Sequence, residues 1–305
     1  LSVSGWGEER GVIPTLATED NDYSIAFRLV AQLRWSYESL DRGVGRDREG
    51  GHSVAFRRIR SIVKGTFLHR DLSYALQLNI VPGALELMDL HVSYRFMEQI
   101  QLQVGQQKVP FTRYRLNSFN ALPVVEWSFP TKYFGAERQI GAMLHNRVGK
   151  PGRFEYQFGV FTGVNARGSN GVGISKVYGE PIPKRSLLCD PDLPAEIHPE
   201  LVGHFAYNGG GINVRLPSDL EGGPFRYSLG ASAAWDLRPT LGEDHFLRLA
   251  PELMMKLHGF SFVGVLMVGL WQGEEGWSST ELGLMGAALE VSQVFARRYE
   301  VAVRY

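Results

Sequence analysis

The sequence predicts an all-β fold, a transmembrane antiparallel up-and-down β-barrel. Three observations carry this: strict alternation of apolar and polar residues, the length of the alternating runs, and the unequal connections between them. Residues 24–38 set the pattern. Ile25, Phe27, Leu29, Ala31, Leu33, Trp35 and Tyr37 share one face, and Ser24, Ala26, Arg28, Val30, Gln32, Arg34, Ser36 and Glu38 share the other. Period two means an extended strand with an apolar and a polar side. Ordinary strands run to about 5–6 residues, whereas a tilted strand needs roughly 9–11 to cross a bilayer. A charged row behind an apolar row fits lipid outside and water inside. A soluble β-sandwich also alternates, but with shorter strands.

The pattern repeats along the chain. Leu72, Tyr74, Leu76, Leu78 and Ile80 alternate with Ser73, Ala75, Gln77 and Asn79. Leu90, Val92, Tyr94 and Phe96 alternate with Asp89, His91, Ser93 and Arg95. Phe154, Tyr156, Phe158 and Val160 oppose Glu155, Gln157 and Gly159, and Leu249, Leu253 and Leu257 oppose Arg248, Glu252 and Lys256. Strands are expected at 24–38, 53–68, 72–81, 88–97, 100–109, 138–148, 154–164, 201–215, 225–237, 245–258, 260–271, 279–293 and 298–305. The connections at 69–71, 98–99, 149–153 and 259 are tight, and those at 39–52, 110–137 and 165–200 are long. Outer-membrane barrels have short periplasmic turns and longer extracellular loops.

The loops differ in kind. Residues 39–52 are charged and Gly-rich, and 165–200 are rich in Gly and Pro, so both read as surface loops. Residues 110–137 carry Phe111, Tyr114, Phe119, Trp127, Phe129, Tyr133 and Phe134, too apolar for a solvated loop. They are expected to fold inward as a constriction. Residues 1–22 form a periplasmic or plug-like segment, and 23–305 a single barrel domain.

The totals agree. The chain has 305 residues, 44% of them hydrophobic, and no net charge, so no global field draws nucleic acid. The longest nearly apolar run, Gly259–Trp271, is well short of the roughly 20 residues of a spanning helix. Barrels escape hydropathy plots because half of each strand is polar. The single cysteine, Cys189, excludes an intramolecular disulfide and a CxxC metal site. Leu1–Trp6 lacks the basic and apolar regions of a signal peptide, so the sequence reads as mature or trimmed. No GxSxG, HExxH, Walker A or GxGxxG motif is present, and the histidines are scattered. No enzyme activity and no cofactor are expected.

Several stretches resemble the phosphate-selective porin O and P family. Phe56-Arg57-Arg58-Ile59-Arg60 is similar to the family's FRRxR motif, and Leu87–Tyr94 to its LxDxYVxY strand. Val104–Phe111 resembles the VGQxKxPF entry to the third loop, and Val125–Ser128 with Glu137–Gly141 resembles that loop's end. Tyr299–Tyr305 resembles a late strand. The resemblance implies a sixteen-stranded trimeric barrel in the bacterial outer membrane with the third loop turned inward. Thirteen strands are visible, an odd number, so the final strands are expected to lie beyond this sequence.

The resemblance also implies pore-lining arginines that guide anions, since guanidinium groups present fixed, forked donors to oxyanions. The matching positions are Arg34, Arg58, Arg60, Lys64 and Arg95 on strand polar faces, and Arg113, Arg115, Lys132 and Arg138 in or beside the third loop. Each could instead hydrate the lumen and pair with Glu38, Asp89, Glu126 or Glu155. The family's phosphate-specific members carry further arginines on a middle strand. Leu201–Asn213 has none here, so a modest anion preference is expected. The partners are then outer-membrane lipid, small anions or other solutes, and two further copies of the chain. The alternative reading is a barrel that anchors or docks a cell-envelope complex.

Overall fold

A computed structural model describes residues 2–3, 15–40, 49–81, 84–124, 126–135, 138–146, 152–163, 199–237, 245–272 and 280–305. These divide into two compact units, one up to Leu90 and one from His91 onward. The strands are β1 Ser2–Val3, β2 Thr15–Ala17, β3 Ser24–Leu40, β4 Glu49–Phe67, β5 His69–Val81, β6 Ala84–Met97, β7 Ile100–Lys108, β8 Arg138–His145, β9 Phe154–Phe161, β10 Glu200–Gly209, β11 Arg226–Asp236, β12 His245–Leu257, β13 Phe260–Gln272, β14 Thr280–Phe295 and β15 Tyr299–Arg304. Two short helices, α1 Arg113–Leu116 and α2 Phe129–Phe134, lie between β7 and β8. Within each unit the strands lie side by side in chain order. No helix among the described residues is long and apolar enough to cross a membrane.

All thirteen expected strands form. In β3 the odd positions face outward: Phe27 is 50% and Leu33 63% exposed, while Ser24 through Gln32 on the even positions are half-buried. Leu29, Val92, Tyr94, Phe158 and Leu257 are likewise exposed, and Leu76, Tyr156 and Leu253 half-buried. An exposed apolar row of this length is what a lipid solvent requires. Every backbone group of a spanning strand must pair with a neighbouring strand, because hydrocarbon offers no alternative partner. Hairpin geometry follows. His258 and Gly259, at φ 48° and 91°, form the two-residue turn between β12 and β13. Positive φ at both positions matches the twist of the flanking strands.

The structure departs from expectation in three places. Part of the 1–22 segment is strand, since Thr15–Ala17 pairs with Ser24–Ala26 of β3. Residues 49–52 of the expected 39–52 loop belong to β4, and 41–48 lie outside the described residues. Most of the 165–200 loop, with Cys189, also lies outside them. The strand expected over 201–215 ends at Gly209, and residues 210–225 form a folded insert before β11.

A β-bulge accounts for an apparent breach of period two in β4. Val54 and Phe56 are exposed on the apolar face, whereas Arg58 and Arg60 are buried, although all four positions are even. Gln32 pairs with Arg58 and Leu33 with Phe56, so Arg57 is the extra residue of β4 at this step of the ladder. One extra residue re-aims the rest of the strand. Deleting Arg57 should close the bulge and leave every side chain on its present face, because Phe56 and Arg58 then follow one another in strict alternation. Deleting Ile59 instead, outside the bulge, should turn Arg58 or Arg60 to the apolar face. A misplaced cation at the bilayer midplane costs about 2–4 kcal/mol. Heat-modifiable electrophoretic mobility should show the folded band kept on deletion of Arg57 and weakened on deletion of Ile59. Loss of the folded band on deletion of Arg57, with deletion of Ile59 tolerated, would contradict this register.

Candidate functional site: a basic strand face and an anchored internal loop

The first unit carries a basic face. On the polar side of Ser24–Glu38 and of the strand 58–66 lie Arg28, Arg34, Arg58, Arg60 and Lys64, with Glu38 as the carboxylate among them. Pairing sets them in a ladder: Arg58 opposite Gln32, Arg60 opposite Val30, Arg28 opposite Ile62, and Lys64 opposite Ala26. The Arg58 guanidinium donates to Gln32 Oε1 at 2.6 Å. Arg34 and Lys64 are exposed, while Arg58 and Arg60 are buried. Four of these residues were expected from the sequence. Arg28 was not, although its even position in β3 already placed it on the same face.

The second unit is different. There the alternation of β9–β14 covers a face that mixes charges with apolar side chains. Glu155, Glu200, His204, Asp236, Arg248 and Glu290 alternate with Val202, Ala234, Ala250, Met254, Val263 and Met267, and all are buried. Residues 109–135 pack against this face. Phe111 and Val109 are fully buried, and Tyr114, Phe119, Trp127 and Phe134 nearly so. The expected aromatic loop is therefore a hydrophobic core, and its packing needs close approach. A Cβ at Gly286 of β14 would stand 3.0 Å from both Pro130 and the Phe134 ring, so a side chain there would make α2 shift by a few tenths of an ångström.

Polar contacts fix the loop in register. The backbone N–H of Thr112 donates to Ser232 Oγ at 3.2 Å, and that of Arg113 to Glu252 Oε2 at 2.9 Å. The Arg113 guanidinium pairs with Glu155 at 2.5 Å and donates to His204 Nε2 at 3.2 Å. Arginine cannot accept, so His204 accepts at Nε2 and carries its proton on Nδ1, 2.8 Å from Ser232 Oγ. Tyr114 Oη donates to Glu290 at 2.6 Å. Burial, followed by the Glu290 carboxylate, raises the Tyr114 pKa and keeps the phenol protonated. Arg248 binds Glu200 and Asp236, donates to the Phe134 carbonyl at 2.7 Å, and lies 5.2 Å from the centre of the Phe111 ring. Thr112, at φ 63°, holds a backbone conformation that costs about 1–3 kcal/mol in a non-glycine residue. The bonds on either side hold it there.

The loop is also braced internally. Lys108 Nζ donates to the carbonyls of Arg115, Leu116 and Asn117, which caps the C-terminus of α1. Trp127 Nε1 donates to the Tyr114 carbonyl, and the Arg115 guanidinium sits 4.2 Å over the Trp127 ring. Lys132 pairs with Glu126 at 3.0 Å, and Arg304 of β15 donates to the Glu126 carbonyl.

The loop cations expected along an anion path lie in different settings. Arg113, Arg115 and Arg138 are buried, and Arg113 is committed to Glu155 and His204. Arg113 and Arg115 take part in the packing of the loop, and Arg138 opens β8 opposite Lys108. Lys132 remains partly exposed beside Glu126, and Arg95 is exposed on β6. Breaking a buried pair from one side leaves an uncompensated charge and costs about 3–5 kcal/mol. Arg113→Met should therefore release the loop. Limited proteolysis should find new cleavage between residues 113 and 132 in this variant, and none there in the wild type. Tyr114→Phe, which strands Glu290, should loosen the loop less, by about 1–3 kcal/mol. Equal resistance of all three proteins would contradict the anchoring.

Residues 27–177 match the family model described as phosphate-selective porin O and P. No curated protein matches the chain. Among solved structures the chain is similar to OmpT, an outer membrane protein of Vibrio cholerae, folded in vitro. Identity is 10%, coverage is 94% of this chain and 87% of that one, and the TM-score is 0.36. The trimer form of the same protein gives 11% identity, 92% and 88% coverage and a TM-score of 0.37. Its outer-membrane-expressed form gives 10%, 95% and 88%, and 0.36. With its strands in register and the third loop packed on the strands that follow it, the chain is an outer-membrane porin that matches, over residues 27–177, the phosphate-selective porin O and P family of β-barrel porins.

Proposed function

We propose that this porin is a passive diffusion channel with a modest preference for small anions, and that its selectivity resides in the basic face of β3 and β4. The observation that carries this is the charge there: among the described side chains of Ser24–Glu38 and residues 58–66, five cations, Arg28, Arg34, Arg58, Arg60 and Lys64, accompany one carboxylate, Glu38. Rings and rows of side-chain charge set the ion preference of wide pores. Inside a narrow, low-dielectric channel such charges act with less screening than in bulk. Guanidinium forks suit phosphate and other oxyanions equally well, and β10 supplies no arginine to sharpen the choice. A strong preference for phosphate is therefore not proposed. Three copies of the chain would form the working assembly, as the family resemblance implies.

Planar-bilayer recordings in a salt gradient test this. The wild-type reversal potential should lie on the anion side. Arg58→Ala with Arg60→Ala should move it toward cations, and adding Arg28→Ala should move it further. Because Arg58 and Arg60 are buried, heat-modifiable mobility should first show each variant folded, and Arg34→Ala with Lys64→Ala, at the two exposed cations, should move the potential in the same direction. A wild-type channel that prefers cations would refute the proposal. The absence of conductance would favour the envelope-anchor reading instead.

A further inference from the structure

The insert at residues 210–225 occurs where a porin needs only a tight turn. It joins β10 to β11 at the same end of the second unit as the short connections at Glu98–Gln99, His258–Gly259 and Ala296–Arg298. That end faces the periplasm in outer-membrane barrels, where turns are short. Here sixteen residues fold back and are held. Lys256, fully buried on the covered face of β12, donates to the carbonyls of Asn213 at 2.7 Å and Leu216 at 2.6 Å. Arg226, buried at the start of β11, pairs with Asp219 at 2.6 Å and Glu221 at 2.7 Å, and donates to the Gly222 carbonyl at 2.8 Å. Asp219 also accepts the Gly259 amide at 2.8 Å, and the His258 amide donates to the Gly223 carbonyl at 2.9 Å. Ile212, Val214, Pro217, Ser218 and Asp219 are buried as a result.

Lys256 and Arg226 pair across β11 and β12, and both point to the face that carries the internal loop further along the same strands. A flexible turn would need neither of two buried cations. We propose that residues 210–225 form a fixed turn-side plug, positioned by Lys256 and Arg226, that closes the covered face of the second unit to solutes from the periplasmic side. The aromatic loop and the plug then seal that face at two levels, and solute is confined to paths that avoid it. The inference rests on the diffusion-channel reading but assigns a different element.

The test uses the reconstituted full chain in a Cys189→Ser background with Ser228→Cys. Ser228 is buried one strand step inward from Arg226. A water-soluble thiosulfonate should label this cysteine slowly while the plug is seated. Replacing residues 211–222 with a two-residue turn should raise the labelling rate toward that of a free thiol. Lys256→Met, which keeps the insert but removes its clamp, should give an intermediate rate and covers the case in which the shortened protein fails to fold. Bilayer conductance of the same samples separates the two ideas. A wild-type protein that does not conduct counts against the channel reading. A conducting protein whose Ser228→Cys site reacts fast with the plug in place, or stays protected after both changes, overturns the plug.

Discussion

A strand in a bilayer must give its backbone bonds to other strands and its apolar side chains to lipid, and this requirement organises the whole chain. It sets period two, and period two sorts every side chain onto one of two faces. The outward face is uniform, with Phe27, Leu33 and Phe158 exposed at regular spacing. The opposite face is free to differ along the chain. In the first unit it presents cations. In the second it is covered by protein, as the burial of Phe111, Arg248 and Lys256 shows.

That difference turns on how charge is treated when water is removed. A carboxylate on a covered face is costly unless it is paired and hydrogen-bonded. Each acid here has such partners: Glu155 has Arg113, Glu252 has the Arg113 amide, Glu290 has Tyr114, and Glu200 and Asp236 share Arg248. The acids come from β9 to β14, and their partners include both loop and strand residues. Aromatic packing brings the loop to the wall, and these pairs allow one seating of it. The same economy appears at the turn end, where Asp219 satisfies Arg226 and the Gly259 amide together.

Much of this was legible in the sequence, for physical reasons. The strands were visible because alternation over ten or more residues suits an extended chain and neither a helix nor a solvated loop. The packed loop was visible because an aromatic run needs cover, which Phe111, Tyr114, Phe119, Trp127 and Phe134 receive while Phe129 stays exposed. The burial of Arg113, Arg115 and Arg138 was not. A side chain facing a pore and one facing a core sit at the same parity, and the acids that claim Arg113 are far away in the chain. The plug was missed although Gly209-Gly210-Gly211 and Gly222-Gly223-Pro224 bracket it, because a run of alternating residues through Asn213 masked the first glycines. The bulge at Arg57 had a sequence sign too: Phe56 and Arg58 share parity and cannot share a face. Arg28 needed only the parity already assigned to its strand.

The third loop is part of the packed structure of the second unit, held by its backbone as much as by its side chains. Native-state hydrogen exchange at the amides of Thr112 and Arg113 reads this out, since each donates to a strand side chain rather than to water. Protection should be comparable to that of the strand amides of β11 and β12, and should be lost at both positions in Arg113→Met. Exchange of these two amides at the rate of an open loop in the folded wild-type protein would show that the loop is not anchored.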